Sequence, residues 1–169
     1  MKMPRFGFYA VIAVGAVVAG LLTYHFVIKP RFLKPRIEQT LAIIKPDAVR
    51  AKNSGKIIDR IEQEGFTIID LKKVQLDKEG AEKFYAVHKD KKFFGDLVNF
   101  MSNGPVIVMI LEKESAVQAW RDLMGNATKE GSIRKLFGTN VQQNAVHGSD
   151  SYDNARREIK FFFADRFKN

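Results

Sequence analysis

The chain contains no cysteine and only three histidines among its 169 residues. Without cysteine, the protein cannot form a disulfide framework, a thiolate zinc site or a thiol nucleophile. The histidines lie at positions 25, 88 and 147, which are too scattered for a His-rich metal site. These absences exclude disulfide-stabilised proteins, zinc fingers and thiol-dependent enzymes.

The chain also lacks the glycine-rich loops that many proteins use to bind phosphate. The pair Gly55-Lys56 is followed by Ile57 rather than Ser or Thr, and no glycine lies five residues before Gly55, so the pair is not a P-loop. A glycine-rich loop of the protein-kinase type is missing as well. Any groups that bind phosphate must therefore come from separate parts of the chain.

The excess of positive charge is concentrated at the N-terminus. The formal net charge is +9, from 28 basic and 19 acidic residues, and residues 1–36 carry six of the basic residues and no acidic one. The rest of the chain therefore has 22 basic and 19 acidic residues, a balance of only +3. A weakly basic domain suits nucleotide phosphates but disfavours the alternative of a basic nucleic-acid-binding protein.

Residues 6–28 form an uncharged, apolar run of 23 residues. As a helix this run would be about 34 Å long, enough to cross a hydrocarbon core of about 30 Å. It predicts a transmembrane anchor helix, and the positive residues that follow it favour a cytoplasmic location for the rest of the chain. A cleaved signal peptide or a mitochondrial membrane remains the alternative, because residues 1–5 are also positively charged.

This division predicts three parts of the chain and a single-pass membrane protein. Residues 1–28 would be the N-terminal tail and anchor, residues 29–36 a basic linker, and residues 37–169 the folded domain. Within that domain, apolar runs predict strands over residues 39–44, 66–74 and 106–111. Helical patterns cover residues 53–65, 78–87, 94–101, 115–124 and 152–163. Their order favours an α+β sandwich with helices on one face of a mainly antiparallel sheet.

The string NAVHGSDS at residues 144–151 places one imidazole beside a glycine and two hydroxyl side chains. A neutral histidine can act as a nucleophile when an acceptor holds one ring nitrogen and leaves the other free. Gly148 would leave room for an incoming phosphate, and the Ser149 hydroxyl can orient a carboxylate or a phosphate. Taken alone, His147 could equally be a solvated loop residue. The whole string, however, resembles the active-site motif N-x-x-H-G-S-D-[SA] of nucleoside diphosphate kinases.

The resemblance covers about residues 39–165 and implies a ferredoxin-like domain with a four-stranded sheet. It implies transfer of the terminal phosphoryl group from a nucleoside triphosphate, normally ATP, to a nucleoside or deoxynucleoside diphosphate. The transfer would be ping-pong, through a phosphohistidine on His147, with Mg²⁺ held by the nucleotide phosphates. Glu158 matches the family's glutamate that orients the catalytic ring, and Ser149 completes the expected catalytic set.

Other motifs of the chain resemble the nucleotide-binding positions of the family. The strand-ending I-K-P-D at residues 44–47 would place Lys45 near the sugar hydroxyls and the transferred phosphate. The G-S-I-R at residues 131–134 is close to the family's G-T-I-R and would make Arg134 a phosphate ligand. The remaining expected nucleotide-binding residues are Tyr85 near the transferred phosphate, Phe93 against the base, Arg121 on the phosphates and Asn144 on the ribose.

The segment between Arg121 and Arg134 departs from the family pattern. It is expected to be shorter than usual, and either Ala127 or Thr128 could occupy the position of the family's threonine, of which we choose Thr128. In the family this loop contributes to trimer contacts of the hexamer, so a homo-oligomer is expected, with its size depending on the loop. A catalytically idle scaffold module is the remaining alternative, and the intact motif set disfavours it.

Overall fold

The computed structural model describes residues 36–167, of which residues 37–167 lie in one compact unit of the chain, Ile37–Asn169. Its strands are β1 (Ile37–Ile44), β2 (Thr67–Gln75), β3 (Pro105–Glu114) and β4 (Val146–Gly148). Its helices are α1 (Pro46–Arg50), α2 (Ser54–Gln63), α3 (Lys78–Phe84), α4 (Phe94–Ser102), α5 (Ala116–Met124), α6 (Ile133–Phe137) and α7 (Tyr152–Phe162). Two 3₁₀ turns cover Ala86–His88 and Ala164–Phe167.

The four strands form one antiparallel sheet in the order β2-β3-β1-β4. The central strands β1 and β3 pair in a register that sets Leu41 opposite Ile110. Strand β4 lies at the edge and pairs with β1, so that His147 is opposite Ile43. The predicted α+β domain with a four-stranded, mainly antiparallel, ferredoxin-like sheet is therefore confirmed.

Both faces of the sheet are covered by helices, which corrects the expectation of helices on one face. Alternate residues of β1 contribute to two separate cores, Leu41 and Ile43 on one face and Ala42 and Ile44 on the other. Helices α2 and α5 pack on the face of Ala42 and Ile44. Helices α3, α4 and α7 pack on the face of Leu41 and Ile43. The physical reason is that the central strands are apolar on both sides, so each side must be removed from water.

The predicted long elements are present with ends shifted by a few residues. The helix predicted over residues 152–163 is α7, which buries Ala155, Ile159 and Phe162 along one face. The short elements β4, α1 and α6 were not predicted, because three to five residues are too few to show a periodic pattern. As a consequence His147 lies in a strand, and its expected position in a loop is corrected.

The predicted anchor at residues 6–28 and nearly all of the predicted linker at residues 29–36 lie outside the described residues. Within residues 36–167, no helix is long and apolar enough to cross a membrane. The longest of these helices, α7, has 11 residues, or about 16 Å of helix against a hydrocarbon core of about 30 Å. The predicted localisation as a single-pass membrane protein is corrected on this finding.

Candidate active site

The imidazole of His147 lies at the edge of the sheet, in a pocket of aromatic side chains. Its side chain is 20% exposed, because β4 holds it beside the end of α3. The ring of Phe84 meets the imidazole edge-on at 5.5 Å between centroids, and the ring of Tyr85 does so at 5.9 Å. These contacts fix the plane of the imidazole while one edge stays accessible.

A single carboxylate oxygen accepts hydrogen bonds from the side chains of His147 and Ser149. The Nε2 atom of His147 lies 3.1 Å from Oε2 of Glu158, and the Ser149 hydroxyl donates to the same oxygen at 2.7 Å. Both Ser149 and Glu158 are buried. Because Oε2 is an acceptor, the neutral ring carries its hydrogen on Nε2 and has its lone pair on Nδ1. The structure thus brings the three predicted catalytic residues together, with the lone pair of the neutral ring on Nδ1.

Gly148 makes room for a tryptophan, a contact that the sequence did not predict, and its room for phosphate stays a prediction. A Cβ atom at this buried glycine would lie 2.3 Å from Cδ1 and 2.4 Å from Nε1 of Trp120. The indole Nε1 donates a hydrogen bond of 3.1 Å to the backbone carbonyl of His147. The glycine is therefore required because the buried indole approaches the backbone of the nucleophile so closely.

The ammonium of Lys45 is buried at the beginning of α1 and held by the segment that precedes His147. Its Nζ donates to Oδ1 of Asn144 at 2.7 Å and to the carbonyl of Gln142 at 3.0 Å. Burial lowers the pKa of Lys45 to about 8, an effect that the Asp47 carboxylate opposes and the Arg134 guanidinium reinforces. A cation at this position is therefore poorly solvated and would gain from an incoming anion.

Arg134 is anchored beside the strand that carries His147. Its guanidinium donates to the carbonyls of Gly125 and Val146, each at 3.3 Å. Its Nε is buried and has no partner among residues 36–167. Burial lowers the pKa of Arg134, and the nearby charge of Arg121 lowers it further. Arg121 itself is exposed at the end of α5, so the two guanidiniums form one positive region beside β4.

The hydroxyl of Tyr85 is a second donor without a partner in the described part of the chain. Burial raises the pKa of Tyr85, and the negative charge of Glu158 raises it further. The phenol therefore remains protonated and can donate a hydrogen bond. Because its ring also packs against His147, this donor lies close to the imidazole.

Phe93 lines an open cavity of about 350 Å³ next to Lys45. Phe93 as a whole residue is 52% exposed. The remaining lining residues include Leu97 and Val141, which are apolar, and Asp96 and Gln142, which are polar. Such a mixture of flat apolar walls and a few polar groups suits an aromatic ligand that carries charge at one end.

Thr128 lies in the turn between α5 and α6. Its backbone N–H and its hydroxyl both hydrogen-bond to Oδ1 of Asn126, at 2.9 and 2.8 Å, within its own turn.

Three groups of the candidate site were not predicted from the sequence: Asp47, the Gln142 carbonyl and Trp120. Asp47 belongs to the I-K-P-D motif and could have been selected from it. A backbone carbonyl has no sequence signal, and no local pattern shows that the Trp120 indole meets the backbone of His147.

The family model described as nucleoside diphosphate kinase matches residues 38–167 of the chain. A nucleoside diphosphate kinase of Nitratiruptor sp. is 54% identical over 134 residues, which cover 77% of this chain and 98% of that protein. One from Campylobacter jejuni is 57% identical over 131 residues, or 75% of this chain and 96% of that protein.

Two solved structures are similar to this domain. The nucleoside diphosphate kinase of Aquifex aeolicus has a TM-score of 0.74 and 44% identity, covering 76% of this chain and 96% of that one. The halophilic enzyme of Halobacterium salinarum, solved in complex with CDP, has a TM-score of 0.73 and 37% identity, covering 78% of this chain and 90% of that one. None of these relatives supports the predicted N-terminal anchor or the predicted shortening of the loop between Arg121 and Arg134.

Proposed function

The chain belongs to the nucleoside diphosphate kinase family and transfers the terminal phosphoryl group of a nucleoside triphosphate to a nucleoside diphosphate, and we propose that His147 carries that group between the two nucleotides. The observation that supports this role is the shared Oε2 of Glu158, which holds Nε2 of His147 and leaves Nδ1 free. A second nucleotide can then use the same site after the first has left.

In the first half of the reaction, Nδ1 attacks the terminal phosphorus of the donor. A P–N bond forms, the bridging P–O bond breaks, and the nucleoside diphosphate leaves with the electron pair of that bond. The Nε2 hydrogen remains on the ring, where the Glu158 carboxylate stabilises the positive charge that the phosphorylated imidazole gains. The second half reverses these steps with an acceptor diphosphate, so the mechanism is ping-pong.

The nucleotide would lie with its base against Phe93 and its phosphates toward His147. In this proposal Lys45 contacts both the ribose hydroxyls and the transferred phosphate, and Asn144 contacts the ribose. Stacking on Phe93 without base-edge recognition accounts for broad nucleotide tolerance, because every base has a π-face. The Halobacterium relative binds a pyrimidine diphosphate, CDP, which agrees with a platform of this kind.

The phosphates would be bound by the donors that converge on the nucleophile. Tyr85 Oη and Arg134 Nε are buried donors without a partner in the described chain, so a phosphate oxygen would satisfy them. Arg121 adds charge from the exposed side, and we assign Thr128 to the phosphates on the family resemblance alone. Charge-assisted bonds of this kind stabilise the charge on the moving phosphoryl group.

Magnesium enters this proposal with the substrate. Residues 36–167 contain no group of three His, Asp or Glu side chains suited to a metal ion, whereas triphosphate oxygens are ligands that Mg²⁺ prefers. The donor is ATP in this proposal, and the acceptors include deoxynucleoside diphosphates. We further propose a homo-oligomer, a hexamer by resemblance, in which the loop between Arg121 and Arg134 contributes to contacts between subunits.

The test is the chemical stability of a phosphoenzyme. Incubation with γ-labelled ATP should label the wild-type protein, and the label should be lost in acid and retained in base, as for a phosphohistidine. His147→Ala should abolish both labelling and nucleotide-to-nucleotide transfer, while its circular dichroism spectrum matches that of the wild type. Retention of a tenth of wild-type transfer by this variant would refute the role of His147.

A further inference from the structure

The three residues before His147 form a strained turn. The Val146 N–H donates to the carbonyl of Asn144 at 2.8 Å, which closes a turn of only three residues. Its central residue, Ala145, has a φ of 67°, in the left-handed region that favours glycine. A residue with a Cβ persists in such a conformation only when its surroundings fix it.

The segment that follows β1 supplies both of the bonds that fix this turn. The Ala145 N–H donates to Oδ2 of Asp47 at 3.0 Å, and the Lys45 N–H donates to the Ala145 carbonyl at 2.8 Å. The peptide groups of Ala145, which is fully buried, are thus satisfied from residues 45–47. Of the two bonds, only the one to Asp47 depends on a side chain and can be removed by substitution.

Asp47 also contributes charge to the site. The charged groups that face Lys45 are Asp47 in α1, Arg134 in α6 and Asp96 of α4, which lines the same cavity. The negative charge of Asp47 raises the pKa of Lys45, while burial and Arg134 lower it. Its second oxygen, Oδ1, is buried with no hydrogen-bond partner in the described residues. The carboxylate therefore acts on Lys45 through space rather than through a direct bond.

We propose that Asp47 is a positioning residue of the transfer reaction, which holds the turn at Ala145 that leads into His147 and sets a negative charge beside Lys45. Asp47 needs no contact with the nucleotide for either effect. The proposal rests on the proposed function, because His147 and Lys45 must act on the phosphoryl group. The two effects use different properties of the side chain, an acceptor oxygen and a negative charge, and can be separated.

Four variants of the full-length protein make the separation. Asp47→Asn retains an oxygen that can accept from Ala145 but loses the charge, and Asp47→Ala loses both. Ala145→Gly in the Asp47→Ala background removes the strain, because glycine adopts a positive φ without cost. Asp59→Asn is the matched control, since Asp59 is an exposed carboxylate on α2 that also accepts one side-chain hydrogen bond.

The kcat/KM for transfer from ATP is measured between pH 6 and 10. Wild-type activity should fall as the pH rises through the pKa of Lys45, which is about 8. In Asp47→Asn the contribution that raises this pKa is lost, so the alkaline fall should move to lower pH while activity at pH 6.5 stays within about threefold of wild type. Asp59→Asn should have the wild-type profile.

Asp47→Ala should lose about tenfold in kcat/KM at pH 6.5, because the buried Ala145 N–H then has no acceptor. Adding Ala145→Gly should restore at least about threefold of this loss, which a general loss of packing would not allow. An unshifted pH profile in Asp47→Asn would overturn the charge effect, and no rescue by Ala145→Gly would overturn the turn effect. Failure of the proposed function would appear separately, as transfer by His147→Ala.

Discussion

Replacing Glu158 by glutamine removes the negative charge behind the nucleophile and keeps its shape. Oε2 of Glu158 accepts two hydrogen bonds in the structure, from His147 at 3.1 Å and from Ser149 at 2.7 Å. An amide oxygen at the same position can accept both of them. The variant should therefore fold normally and keep Nδ1 of His147 directed into the site.

The expected loss comes from the bond to His147, because only that bond gains strength as the ring becomes positive during transfer. A hydrogen bond to a charged group contributes about 1.5–3 kcal/mol and a neutral one about 0.5–1.5 kcal/mol, so the loss should be about 1.4 kcal/mol. That difference corresponds to about tenfold in the rate of transfer. The Michaelis constants should change little, since Glu158 contacts the nucleophile rather than the nucleotide.

The assay is rapid-quench measurement of phosphoenzyme formation from labelled ATP in a single turnover. Glu158→Gln should slow this step about tenfold, and Glu158→Ala should slow it further, because Ser149 and His147 then both lose their acceptor. Ser149→Ala is the comparison that removes one hydrogen bond and keeps the charge, and it should slow the step less than Glu158→Gln does. A wild-type rate in Glu158→Gln, or a loss as complete as in His147→Ala, would refute this reasoning.

Two further substitutions test the surroundings of the nucleophile. Gly148→Ala would place a Cβ 2.3 Å from the buried indole of Trp120 and should lower the free energy of unfolding in urea by about 3 kcal/mol. Gly55→Ala, where an added Cβ meets nothing within 4 Å, is the matched control and should not destabilise the protein; equal stability of the two variants would contradict the packing argument. Arg134→Lys loses the planar group that spans the Gly125 and Val146 carbonyls, so the Michaelis constant for the nucleotide should rise about tenfold. An unchanged Michaelis constant would place Arg134 outside the phosphate site.

The local sequence was sufficient for the long elements and for most of the candidate site. Strand β3 follows from the apolar run over residues 106–111, and the buried face of α7 follows from Ala155, Ile159 and Phe162, because periodicity is a property of neighbouring residues. The motif around His147 and the I-K-P-D motif that contains Lys45 are also contiguous strings. The family and its chemistry could therefore be inferred before any contact was known.

The tertiary structure decided which of these strings meet and what each residue does there. Strand β4 forms because three residues find an edge of β1 that lies about a hundred positions earlier in the chain, and no local pattern encodes that pairing. The same pairing sets Asp47 against the N–H of Ala145 and carries Gly148 under the indole of Trp120. Helices cover both faces of the sheet for a similar reason, because the burial of the central strands depends on how all the helices pack in the domain. Contacts between residues far apart in the sequence depend on which strands pair, so the roles of these residues become visible only in the folded chain.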